Sequence, residues 1–151
     1  MSENETKKED FKGSGVFGDL PKEKWEEISR ALEKLTVAPR SIIFRQGDPG
    51  DCFYIITSGK VRVFRKDSDG LETQLSVLGA GESFGEMALL TGDPRSASVI
   101  TTEPSEMFIL NKDDFDLIVE RFPSITLSMG KIMSQRLRET LQKAAKTEPE
   151  K

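Results

Sequence analysis

Two residue types with the right spacing to do chemistry stand out in the stretch Phe84-Gly85-Glu86-Met87-Ala88-Leu89-Leu90-Thr91-Gly92-Asp93-Pro94-Arg95-Ser96-Ala97-Ser98-Val99. Glu86 is a carboxylate and Arg95 a guanidinium, set on either side of a short apolar turn. An arginine presents a planar fork of donors that suits phosphate oxygens. A carboxylate accepts hydrogen bonds from sugar hydroxyls and repels phosphate, so the pair divides a sugar phosphate between its two ends. Gly85 lets the backbone approach a ligand with no Cβ in the way. Met87 to Leu90 have the propensity for one helical turn, whose free N–H groups favour an anion. Thr91-Gly92-Asp93-Pro94 is turn chemistry that brings Arg95 back toward Glu86, and Ser96 and Ala97 add small side chains beside it.

The elements that must hold these residues can be read along the rest of the chain. Its 151 residues suffice for one domain with a sizeable core. Composition divides it into a polar tail over 1–18, a domain over 19–142 and a second polar tail over 143–151, both tails expected to be flexible. Pro21 suits the first turn of an amphipathic helix carrying Trp25, Ile28, Leu32 and Leu35. From Val37 the pattern becomes short β-rich segments separated by turns: 41–45, the turn 46–50, then 52–57, with a turn at Ser58-Gly59. Val61 and Val63 alternate with Arg62 and Phe64, and Asp69-Gly70 marks a hairpin into a strand with Leu71, Thr73, Leu75 and Val77 on one face. Segments 96–100 and 106–110 complete about seven or eight antiparallel strands, a mainly β fold of barrel or jelly-roll type. Asn111 is placed to cap a helix with Phe115, Ile118 and Val119, and Pro123 opens another carrying Ile125, Met129, Ile132, Met133, Leu137 and Leu141. The stripe from Met129 to Leu137 reads as a packing face. Gly130 inside that helix costs about 1 kcal/mol relative to alanine and suggests close packing or a flexible point.

The spacing of the 84–99 stretch, with glycines at Gly47, Gly59, Gly79 and Gly81 upstream, resembles the phosphate-binding cassette of the cyclic-nucleotide-binding domain family. That family spans catabolite-activator-type transcription factors, cyclic-nucleotide-dependent kinase regulators and cyclic-nucleotide-gated channels, and the likeness covers residues 20–142. It implies an eight-stranded antiparallel β-roll with an N-terminal helix, a short cassette helix and two C-terminal helices that swing over bound cAMP or cGMP. By that resemblance Glu86 binds the ribose 2'-hydroxyl and Arg95 the cyclic phosphate. Gly85, Met87, Ala88, Ser96 and Ala97 form the surrounding ribose-phosphate surface. Bacterial channel-type domains have a similar cassette and stack an arginine of the last helix over the base, which falls here on Arg136. Ser96 permits cGMP without excluding cAMP.

Other function classes fit the composition less well. A net charge of −4, with 22 basic residues spread along the chain, offers no stripe for nucleic acid. The absence of histidine disfavours a metal-binding β-roll enzyme, and the single cysteine has no imidazole partner for nucleophilic catalysis. No cofactor is therefore expected, and no enzymatic step. The longest apolar run, Cys52 to Ile56, is far below the roughly 20 residues of a membrane helix. With no apolar leader and one cysteine, a cytoplasmic setting is expected. No DNA-reading helix pair follows the last helix, so an effector protein or a linked effector domain is the expected partner. The last helix also offers a surface for a homodimer. The competing expectation is a degenerate roll that serves as a structural or dimerisation module without nucleotide.

Overall fold

The computed structural model describes residues 22–147, apart from the side chains of 22, 136, 140 and 143–147. Pro21 and the tail over 1–18 therefore lie outside the described residues. Helix α1 (Lys22–Ser29) is followed by β1 (Glu33–Val37), β2 (Ile42–Phe44), β3 (Cys52–Ser58), β4 (Lys60–Lys66), β5 (Glu72–Gly79) and β6 (Ser83–Phe84). Helix α2 (Glu86–Thr91), β7 (Ser98–Thr101), β8 (Ser105–Asn111), α3 (Lys112–Arg121) and α4 (Ser124–Thr147) complete the order. The eight strands form two antiparallel four-stranded sheets, β1-β8-β3-β6 and β2-β7-β4-β5. This is the mainly β roll with flanking helices that the sequence pattern implies.

β3, inside the first sheet, is buried on both faces. Along β3, Phe53 and Ile55 join Trp25, Ile28, Phe115, Ile125 and Met129 under the helices, while Tyr54 and Ile56 join Val61, Leu78, Phe84, Val99 and Met107 between the sheets. A strand covered on both sides has no solvent face to keep polar, and this is why Cys52 to Ile56 reads as an unbroken apolar run. β8 does the same with Phe108 and Leu110 on the helix side and Met107 on the roll side.

The structure differs from several expectations. α1 ends at Ser29, and Leu35 lies on β1, where it packs with Val37 against the inter-sheet core. A three-residue spacing from Leu32 to Leu35 fits a helix, but the alternation of Leu35 and Val37 fits a strand equally, and pairing with β8 decides. Leu71, Thr73, Leu75 and Val77 do not form one buried face of the fifth strand: Leu71 precedes β5, Leu71 and Val77 are solvent-exposed, and Leu78 is the residue that enters the core. A register shift between Val63 and Phe64 accompanies this pairing. On α4 the apolar stripe is packed only in its first half: Met129 is fully buried and Met133 half-buried, whereas every described side chain from 134 onward is exposed, Leu137 and Leu141 included. A Cβ at Gly130 meets nothing within 4 Å, so close packing does not account for that glycine. α4 runs to Thr147, past the composition boundary at 142, through the helix formers Lys143-Ala144-Ala145-Lys146.

Candidate functional site

The cassette leaves the first sheet at β6 and turns through Gly85, whose φ of 87° lies in the left-handed region. Gly85 in this conformation is the N-cap of α2 and makes no side-chain capping hydrogen bond. Glycine is required there for a second reason: a Cβ would come within 2.7 Å of Arg95 Nη1. α2 closes at Gly92, whose N–H donates to the Ala88 carbonyl, and Thr91 Oγ1 accepts from the Asp93 N–H. The chain then reverses through Pro94 and returns as Arg95.

Arg95 is 4% exposed and Glu86 3%. Removing an ion of this kind from water costs several kcal/mol unless the surroundings compensate. The Arg95 guanidinium donates from Nη1 to the Gly85 carbonyl at 2.8 Å and from Nη2 to the Cys52 carbonyl at 2.6 Å. It sits over the ring of Phe44, with Cζ 4.1 Å from the ring centroid. Its Nε is buried with no hydrogen-bond partner, which leaves a donor of a permanent cation available to an anion. The backbone is also fixed: Arg95 N–H donates to Asp48 O and Arg95 O accepts from Gly47 N–H, each at 2.8 Å. Gly50 packs against α2 so closely that a Cβ there would fall 2.1 Å from the Ala88 Cβ.

These residues open on a cavity of ≈ 310 Å³, the lower end of the range for small-molecule sites. Seven of the eight residues expected from the sequence line it: Gly85, Glu86, Met87, Ala88, Arg95, Ser96 and Ala97. The eighth, Arg136, falls on α4, and its side chain lies outside the described residues. Among the described α4 side chains, Met133 lines the cavity. Phe44, Phe84 and Val99 supply apolar wall, and Thr91, Asp93 and Pro94 complete the lining. Sequence reasoning missed Phe44, Gly50 and Met133 as site residues. The apolar stripe of α4 carried a signal for Met133, whereas a stacking shelf at Phe44 has no local signature.

Beneath the arginine, Cys52 Sγ donates to Tyr54 Oη at 3.2 Å. Burial pushes the Cys52 thiol above its ordinary range, with the Tyr54 hydrogen bond opposing, and burial likewise raises the Tyr54 hydroxyl. A thiol held protonated is a poor nucleophile and a poor metal ligand. Among the described residues no cluster of histidine, cysteine or acidic side chains could hold a metal, and no helix is long and apolar enough to cross a membrane. A cavity that combines one buried carboxylate, one buried guanidinium and apolar walls is built to hold an anionic, hydroxyl-bearing ligand with an apolar part.

Known proteins share this fold. The "Cyclic AMP receptor protein" of Thermus thermophilus is 37% identical over 129 residues, covering 85% of this chain and 60% of that protein. The crystal structure of the Thermus thermophilus catabolite activator protein superposes with a TM-score of 0.77 at 34% identity, over 86% of this chain and 61% of that one. The regulatory domain of Toxoplasma gondii PKA, crystallised with cAMP, superposes at 0.72 with 29% identity, over 78% and 46%. The chain thus spans about three fifths of the length of the Thermus receptor. A family model described as the cyclic nucleotide-binding domain matches residues 34–122, which include all eight strands except the first residue of β1, together with the whole cassette. On its sequence, its fold and the family match together, this chain belongs to the cyclic nucleotide-binding domain family.

Proposed function

We propose that the chain is a cyclic-nucleotide sensor domain, in which Arg95 takes the cyclic phosphate and Glu86 the ribose 2'-hydroxyl of cAMP or cGMP. The observation that carries this reading is the pair of buried opposite charges on one small cavity, with the Arg95 Nε still without a partner. Gly85, Met87, Ala88, Ser96 and Ala97, which line the cavity, are assigned to the ribose phosphate, and Met133, which lines it from α4, is assigned to the base. The presence of cAMP in the name or crystal of two relatives favours cAMP as the first ligand to test. The chemistry is binding without bond-making, and the output is a shift of α3 and α4 that an effector protein or linked domain reads.

Isothermal titration with cAMP and cGMP tests the reading. Replacing Arg95 removes charged hydrogen bonds of about 1.5 to 3 kcal/mol each, so Arg95→Ala should weaken binding at least 100-fold. Arg95→Lys, which keeps the charge without the fork, should fall between. Equal heats for wild type and Arg95→Ala, with both folded by circular dichroism, would remove the phosphate assignment. No binding of either nucleotide to the wild type would favour a roll that acts as a structural module.

A further inference from the structure

β7 pairs with β4 in strict register, Val61 opposite Thr101, Arg62 opposite Ile100, Val63 opposite Val99 and Phe64 opposite Ser98. Continued by two residues, that ladder would place Ser96 opposite Lys66. The pairing instead stops at Ser98, and the chain bends so that Arg95 and Ser96 line the cavity. Lys66 nevertheless has both backbone groups bonded. Gln46 Nε2 donates to the Lys66 carbonyl at 3.1 Å, and Lys66 N–H donates to Gln46 Oε1 at 2.9 Å. A side-chain carboxamide carries the same donor and acceptor as a peptide unit, so it can stand in for the missing strand residue.

The backbone around Gln46 is tied to the same two strands. Gln46 N–H donates to Ser98 Oγ at 2.8 Å, at the point where the β7 ladder ends. The next two residues, Gly47 and Asp48, hold the backbone N–H and carbonyl of Arg95. One loop therefore fills the gap beside β4 with a side chain and grips the residue that has left that gap with its backbone.

We propose that Gln46 is a positioning residue for the ligand site: by taking the Lys66 backbone groups in place of Ser96, it keeps residues 95–96 out of the β4 ladder and turned into the cavity. Gln46 is not among the residues that line the cavity and acts through Arg95. The proposal rests on the reading of Arg95 as the phosphate contact, and its test has one arm that needs no nucleotide.

In ligand-free protein, hydrogen exchange by NMR should show the Arg95 amide exchanging at least tenfold faster in Gln46→Leu than in wild type, while Val61 and Val99 amides in the same sheet keep their rates. Unchanged Arg95 exchange overturns the proposal whether or not any nucleotide binds. In titrations with cAMP, Gln46→Leu should weaken binding about tenfold. In an Arg95→Lys background the same change should cost less than twofold, because the partner it positions has already been altered. A general loss of fold would instead weaken both backgrounds equally and overturn the positioning role. Gln46→Glu guards against misfolding: it keeps the acceptor for Lys66 N–H, loses the donor to the Lys66 carbonyl, and should give an intermediate exchange rate. Gln46→Glu exchange equal to wild type overturns the two-bond clamp. If the wild type binds neither cAMP nor cGMP, the sensor reading fails and the exchange arm alone decides on Gln46.

Discussion

The guanidinium of Arg95 sits over the ring of Phe44, its Cζ 4.1 Å from the ring centroid, while two of its nitrogens donate to the carbonyls of Gly85 and Cys52. Phe44 ends β2 and touches Tyr54 and Phe84 with ring centroids 5.9 Å away in each case, so the shelf under the arginine is itself packed. A cation over a ring face gains about 0.5 to 2 kcal/mol, with the larger value for desolvated pairs. Phe44→Leu keeps the bulk and removes the ring face. It should lower cAMP affinity about fivefold, or about 1 kcal/mol. Calorimetry on the folded variant checks this, and unchanged affinity would show that the two carbonyls alone orient Arg95.

Gly50 gives a second, purely steric prediction. A Cβ at this position would sit 2.1 Å from the Cβ of Ala88, which has no rotamer through which to escape. Gly50→Ala should therefore push α2 away and destabilise the fold by about 1 to 3 kcal/mol, the usual cost of overpacking. Ala88→Gly opens the space and itself costs about 1 kcal/mol as a helix glycine. The double variant should be more stable than the sum of the two single losses implies, as measured by urea unfolding. Simple additivity would place the strain of Gly50→Ala somewhere other than against Ala88.

The cassette was legible in sequence because its residues are local: Gly85, Glu86, Arg95 and Ser96 lie within a dozen positions, and their spacing encodes the turn that joins them. The segmentation into strands was legible for a similar reason, since Asp69-Gly70 and the alternation around Val61 are short-range signals. What completes the site was not. Phe44 and Gly50 on one side and Met133 on the other arrive from segments distant from the cassette, and the Cys52 carbonyl that holds Arg95 belongs to the backbone and leaves no mark on residue type. The Leu35 error has the same origin, because a leucine three residues after another satisfies a helix and a strand alike until a partner strand is known. Gln46 reads in sequence as one more polar turn residue, and only the broken β4–β7 ladder reveals why a carboxamide stands there.

Cys52 and Tyr54 predict how the roll responds to alkali. Burial holds both groups protonated, with folded-state values raised from the ordinary 9.0 and 10.0. Each neutral form is therefore favoured by folding. The stability this confers is intact below pH about 9 and declines as pH rises, because the unfolded chain releases these protons first. Thermal melts between pH 8 and 11 should show Tm falling more steeply in wild type than in a Cys52→Ser, Tyr54→Phe double variant, which lacks both groups. Parallel curves would assign the alkaline loss to other residues. Iodoacetamide should correspondingly react slowly with Cys52 at pH 7.5 and accelerate only above pH 9.

The cap of α3 ties the site to the helices and gives the prediction on which the sensor role depends. Asn111 Oδ1 accepts from the Asp114 N–H at 2.8 Å, and the Lys112 N–H donates to the Asp51 carbonyl at 2.8 Å. Asp51 immediately precedes Cys52, whose carbonyl receives Arg95 Nη2. An arginine that turns from this carbonyl toward a phosphate changes the load on the very peptide segment that anchors the start of α3. At the other end of the same helical pair, Met133 lines the cavity while the described α4 side chains beyond it are exposed, so ligand has a direct contact on α4 and little packing to overcome there. A ligand shifts such an equilibrium only by its differential contacts with the two arrangements, and under the proposed function Arg95 and Met133 are the residues that would make them. Saturating cAMP should therefore change amide exchange across residues 112–140 at least threefold. The response should shrink in Met133→Ala on the α4 side, and in Arg95→Lys on both sides, at nucleotide concentrations that saturate each variant. Binding without any exchange response over 112–140 would leave a nucleotide-binding roll whose helices carry no signal.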